Sequence, residues 1–149
     1  MVEVVARHSW LGEVRRYDEN QLLATIDIDP AVRPARLNGQ TDAEVLIAAG
    51  PALDGYAFDA LLTQAAEGIR AALADLESIK SFAVAHVPSE LHYDYPEVSK
   101  TPLEERLFLE GFTVTASTEM EVSFDFGDSD TLVVRLDAHG RSRGAYVDR

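Results

Sequence analysis

Apolar residues recur at every second position near both ends of the chain and at every third or fourth position in the middle. In the segment Leu22–Ile28, Leu22, Ala24, Ile26 and Ile28 alternate with Leu23, Thr25 and Asp27, the period of a strand that buries one face. Asn38-Gly39 is a strong hairpin signal, because a type I′ turn needs two positive φ angles, and it returns the chain through a strand at Glu44–Ala48. Pro34 lacks a backbone donor, so a strand over Arg33–Leu37 would be short or belong at an edge. Upstream, Trp10–Tyr17 reads as a further strand with Gly12 as a bulge.

From Tyr56 to Leu76 the rhythm changes. Phe58, Leu61, Leu62, Ala65, Ile69, Ala72, Leu73 and Leu76 form one broad helical stripe, with Asp59, Gln64, Glu67, Arg70 and Asp75 largely opposite. Gly50-Pro51 breaks the chain before it, and Asp54 can cap it. Ile79, Phe82, Ala83 and Val87 continue the stripe, which predicts one helix running on until Pro88. Ser89–Lys100 is polar and turn-rich and reads as a loop. Thr101-Pro102-Leu103-Glu104 then has the chemistry of a capping box, predicting a short second helix with Leu103, Leu107 and Phe108 on its apolar face and Gly111 at its end.

Alternation resumes after Gly111. Phe112, Val114 and Ala116 mark one strand, Met120, Val122, Phe124 and Phe126 the next, and Leu132, Val134 and Leu136 a third. Asp137-Ala138-His139-Gly140 is a turn with glycine where a left-handed residue is needed, and Ala145 and Val147 close a last strand. The expected architecture is a single α+β domain over residues 1–149. Antiparallel sheets from the N- and C-terminal strands pack against a long central amphipathic helix and a shorter second one.

The stretch Glu121–Asp148 resembles the bacterial family catalogued as domain of unknown function two-thousand-four and its relatives. The matching residues are Phe124, Asp125 and Phe126 in an aromatic strand, then Leu132, Val133, Val134, Asp137 and Gly140 in a strand and turn. The likeness is clearest over the last forty residues. It implies no established activity or catalytic residues. Similar small acidic domains occur among immunity proteins of bacterial toxin systems, so the resemblance implies an interaction role.

Composition narrows the function classes. At 149 residues and 46% hydrophobic, the chain can bury a core without metal or disulfide staples. It has no cysteine, which removes disulfides, thiol nucleophiles and thiolate metal sites and fits a reducing cytoplasm. A net charge of −13 disfavours nucleic acid and anionic membranes as partners and favours a basic protein, though solubility alone also accounts for it. No run is long and apolar enough for a membrane span or a signal peptide, so the expected compartment is the cytoplasm.

The densest candidate for chemistry is His86, Glu90, His92 and Asp94, whose imidazoles and carboxylates suit zinc, iron or manganese. Pro88 interrupts the helix that would align His86 with Glu90, and a polar loop is the commoner meaning of such a cluster. Asp125, Asp128 and Asp130 fail the calcium-loop pattern, because Val133 stands where glycine is needed and His139 where glutamate is needed. Asp27 and Asp29 fall on one side of a strand and could share acid–base work or simply solvate it. No nucleophile elbow or phosphate loop occurs, and no cofactor is implied. Trp10, Tyr17, Tyr93 and Tyr95 are the aromatics least explained by core periodicity, and they are candidate anchors of a protein interface.

The functional expectation is a protein-binding module, an immunity-type inhibitor of a basic toxin being one form. The alternatives are a metal-binding module or metal-dependent enzyme built on His86, Glu90, His92 and Asp94, and a structural domain that forms homodimers through a sheet edge.

Overall fold

The alternating segments form strands, and the strands join edge to edge into one sheet. The computed structural model describes residues 3–27, 42–48, 55–86, 107–115, 119–125 and 131–148. In chain order the strands are β1 (Val4–His8), β2 (Gly12–Asp18), β3 (Gln21–Asp27), β4 (Asp42–Ala48), β5 (Phe108–Val114), β6 (Met120–Asp125), β7 (Thr131–Leu136) and β8 (Ser142–Asp148). Their spatial order follows their sequence order. Every neighbouring pair is antiparallel except β4 and β5, which run parallel. Two helices, α1 (Gly55–Ala74) and α2 (Leu76–Ala85), lie in the crossover between those two strands. The fold is therefore α+β, with the sheet as its dominant part.

One face of the sheet is greasy because its register stacks the apolar half of each alternation. Ala24 lies opposite Val45, Val45 beside Phe112, Phe112 opposite Val122, Val122 opposite Val134, and Val134 opposite Ala145. These residues share one core with Leu62, Ala65, Ile69 and Ala72 of α1 and Leu76, Ile79 and Ala83 of α2. Leu22, Ile47, Leu62, Ile69, Leu109 and Phe124 are each at most 1% exposed. Burying such a side chain stabilises the fold by about 1.5–3 kcal/mol before entropy is counted. On α1, Asp59, Gln64, Glu67 and Arg70 face outward, as the helical stripe requires.

Several expectations change. The predicted continuous helix breaks at Asp75, whose backbone N–H is shared between the carbonyls of Ala71 and Ala72 at 3.1 Å each. That tightened turn ends α1, and α2 then packs on β7 and β8. Leu107, Phe108 and Gly111 do not cap off a second helix: Leu107 is buried and Phe108–Val114 is strand β5. From Phe108 on, the inward positions Leu109, Phe112 and Val114 hold the chain in the sheet, while the capping-box residues 101–104 lie outside the described residues. An all-antiparallel arrangement fails at β4 and β5 because a helical crossover on one face returns the chain to the end from which β4 started. Gly12 is not a bulge; with φ of +72° it opens β2 after a turn that follows the unexpected strand β1.

The predicted turn at Asp137 does form. Gly140 takes φ of +79°, the left-handed conformation that tolerates glycine best. Its N–H bonds the Asp137 carbonyl at 2.9 Å. The predicted strand at residues 33–37 and the Asn38-Gly39 turn lie outside the described residues, while the β3–β4 pairing they were expected to connect is present. Among the described residues no helix is long and apolar enough to cross a membrane.

Candidate functional site

The polar half of each alternation builds the second face of the sheet, and no described element covers it. One transverse row runs Leu23, Leu46, Thr113, Glu121, Arg135 and Gly144. The next runs Thr25, Glu44, Gly111, Ser123, Val133 and Tyr146. Beyond it, Asp27 stands directly opposite Asp42, and Phe108, Asp125, Thr131 and Asp148 continue the line. A register irregularity between Leu109 and Gly111 inserts Glu110 into this end, where the Thr131 hydroxyl donates to its carboxylate at 3.4 Å. Asp27, Asp42, Glu44, Glu110, Asp125 and Asp148 thus gather at one end of one face.

At the β1–β2 edge of the sheet the charges are self-compensating. Glu13 accepts a hydrogen bond from Arg15 at 3.0 Å and pairs with Arg7 at 3.3 Å. The Arg15 hydrogen bond, assisted by the charges of Arg7 and Arg15, holds the Glu13 carboxyl below its usual range. Arg135, in the middle of the face, stacks its guanidinium 4.9 Å from the Tyr146 ring. The Tyr146 hydroxyl donates to Glu121. Partial burial first, then that hydrogen bond and the Glu121 charge, raise the phenol above its ordinary value, so it stays neutral at physiological pH.

A cleft of about 210 Å³ opens within the acidic end. Its floor is the backbone of Gly111, and its walls include Glu44, Leu46, Glu110, Ser123, Thr131 and Asp148. Glycine is required there by a close approach: a Cβ would overlap the Glu44 carbonyl oxygen and stand 3.3 Å from its carbon. Glycine there lets β5 lie against the backbone of β4 beside the cleft.

Of the residues singled out from sequence, Trp10, Tyr17 and His86 lie among the described residues. Trp10 is half-buried against the core, with the Arg70 guanidinium 6.0 Å from its ring. The His8 ring fixes that turn: its Nδ1 accepts the backbone N–H groups of Trp10 at 3.1 Å and Leu11 at 3.2 Å. Tyr17 is 57% exposed near the far end of β2, roughly 20 Å along a strand of that length, so the two aromatics form no common patch. Tyr93 and Tyr95 lie outside the described residues, as do Glu90, His92 and Asp94 of the metal cluster and Asp29, Asp128 and Asp130. His86 ends α2. Its backbone N–H bonds the Phe82 carbonyl at 3.0 Å, its Nδ1 lies 2.9 Å from the same oxygen, and its ring stacks on Phe82 at 3.9 Å. That is a helix-terminus role. Among the described residues no group of side chains is arranged to hold a metal ion.

Sequence reading missed Glu121, Arg135 and Tyr146 as a group. They occupy outward positions of β6, β7 and β8, and only cross-strand register brings them together. Comparison of the chain with family models, curated proteins and solved structures gave no match.

Proposed function

We propose that this chain is a protein-binding module that receives a basic partner on the face of its sheet that no described element covers. The observation that carries the reading is the gathering of Asp27, Asp42, Glu44, Glu110, Asp125 and Asp148 at one end of that face. Carboxylates set close together on one surface, with Asp27 directly opposite Asp42, repel one another and raise its negative potential. A cationic surface would relieve the repulsion and would be drawn in at an accelerated rate. Half-buried Leu23, Leu46 and Tyr146 add apolar ground beside the charges, the mixture found at transient interfaces. An immunity-type inhibitor of a basic toxin is a form of module that fits this charge, and the resemblance of the β6–β8 segment to family two-thousand-four belongs to the same proposal. A cytoplasmic setting accompanies it, as the cysteine-free composition suits a reducing compartment.

The test is affinity capture at low salt from the cells that make the protein. Three baits are compared: the natural chain, a Glu44→Lys/Asp148→Lys variant, and an Asp59→Asn/Glu67→Gln variant altered on exposed α1. The expected result is a basic protein held by the first and third baits and lost from the second. Equal recovery by all three, or no basic protein on any, refutes the proposal.

A further inference from the structure

Among the described residues the sheet ends on two strands with a neighbour on one side only, β1 and β8. Alternate N–H and C=O groups of such a strand point away from the ladder and template a further strand. The two edges differ. β1 has five residues, its register slips between Val4 and Ala6, and pairing it with itself about Arg7 would oppose two guanidiniums. β8 has seven residues and keeps regular register with β7 over Gly144–Asp148. On its inward side the core stops short: Leu132 and Val134 of β7 are fully buried, whereas Val147 and Ala145 opposite them are only partly covered.

We propose that a second copy of this chain pairs antiparallel along β8, with Tyr146 beside a two-fold axis perpendicular to the sheet. In that register Ala145 of each copy faces Val147 of the other, so the inward rows Val134–Ala145 and Leu132–Val147 each gain one apolar residue. On the outward side Tyr146 faces its own counterpart and Gly144 faces Asp148, so no like charges are opposed within Gly144–Asp148. The two Asp148 carboxylates stand roughly 13 Å apart along the strands, beyond the screening length of about 8 Å at physiological salt. Moving the axis to Ala145 would set Arg143 against Val147 and run into the irregularity between Arg135 and Leu136. This self-matching names the occupant as a second copy. The edge lies beside the uncovered face, so the pairing does not depend on the module reading.

The full chain is followed by sedimentation velocity over a range of concentrations at low and high salt. Expected is a reversible dimer that tightens as salt rises, because each copy carries a net charge of −13. Capture of a basic partner weakens with salt instead, which keeps the two readings apart. Gly144→Asp sets a carboxylate against Asp148 twice per dimer, and nothing lies within 4 Å of the added Cβ. Its circular dichroism should be native while the dimer weakens about tenfold, and adding Asp148→Asn should restore it. The chain has no cysteine, so Tyr146→Cys reports the axis directly. Mild oxidation should cross-link that variant into dimers and leave Tyr17→Cys, at an exposed position of β2, as monomers. A monomer at every concentration and salt, species larger than a dimer such as β1–β8 pairing would build, an unaffected Gly144→Asp dimer, or no cross-link through Tyr146→Cys overturns the proposal.

Discussion

Replacing Gly111 with alanine tests how closely β5 approaches the backbone of β4. The added Cβ would overlap the Glu44 carbonyl oxygen, with the Glu44 carbonyl carbon at 3.3 Å and its N at 3.5 Å. These are backbone atoms, so no side chain can swing aside. Neither strand can retreat easily: β4 is held on its other side by β3 over the whole of Asp42–Ala48, and β5 is held by β6. Separating them would also loosen the contact of Val45 with Phe112 in the core. Overpacking of this kind costs about 1–3 kcal/mol, and alanine recovers only about 0.4–1 kcal/mol by stiffening the unfolded chain. The net expectation is a loss of about 1–2 kcal/mol. Gly68→Ala is the internal control. It lies inside α1, its Cβ would meet only the flexible end of Met120 at 3.4 Å, and alanine in a helix interior is favoured by up to about 1 kcal/mol. Urea unfolding of the three proteins, compared at a common m-value, should therefore show midpoints displaced in opposite directions. A Gly111→Ala protein as stable as the natural chain would refute the close approach of β5 to β4.

Three further outcomes follow from particular side chains. Asp137 accepts the N–H groups of His139 at 2.9 Å and Arg141 at 3.0 Å and pairs with Arg143 at 2.8 Å; led by the Arg141 bond, these hold its carboxyl near pH 2, down from 3.8. Because the folded value is depressed, its contribution is complete above about pH 4 and is lost as pH falls toward 2, so Asp137→Asn should flatten the acid dependence of the urea midpoint in that window; an unchanged slope would contradict it. Tyr146 is the opposite case, with a raised folded value: its contribution is present below pH 10 and disappears as pH climbs through the higher folded value. Tyr146→Phe should therefore remove a phenol that titrates above the ordinary range from the absorbance curve and reduce alkaline destabilisation, and an unaltered curve would count against the Glu121 contact. Lys80 lies on the buried stripe of α2 with Leu76, Ile79 and Ala83, is 6% exposed, and has no ion pair among the described residues. Lys80→Met should raise stability by about 1 kcal/mol in the same urea assay, and a loss of that size would show that the ammonium is well satisfied.

The fold was legible wherever one periodicity acted alone. Alternation identified β3, β4, β6 and β7 because their inward residues have no competing signal, and Gly140 marked its turn because few residues accept that φ. At β5 it found the strand at Phe112 and Val114 but missed its start at Phe108, where a capping box and an alternating run overlap within a few residues. Burying Leu109, Phe112 and Val114 contributes several kcal/mol, which extends the strand back to Phe108. The parallel pairing of β4 with β5 was not legible either. It is a property of where a crossover delivers the chain, and local residue pattern carries no trace of it.

The candidate site was hidden for a related reason. Reading along the chain couples Asp27 with Asp29, the next position on the same side, nearly 7 Å away along a strand. In the sheet, the closer partner of Asp27 is Asp42, directly across the ladder, where opposed Cβ atoms are about 5 Å apart. The same step joins Gly111 to Glu44 and Ser123, and Tyr146 to Val133. Apolar alternation tells only which side of each strand is inward, a one-dimensional property that survives a shift of two residues. The acidic end does not survive such a shift, because moving β3 against β4 by two positions would take Asp27 away from Asp42 while leaving both on the outer face. A hydrophobic core can therefore be inferred from sequence period alone, whereas a charged surface built across six strands depends on the register of every strand in it.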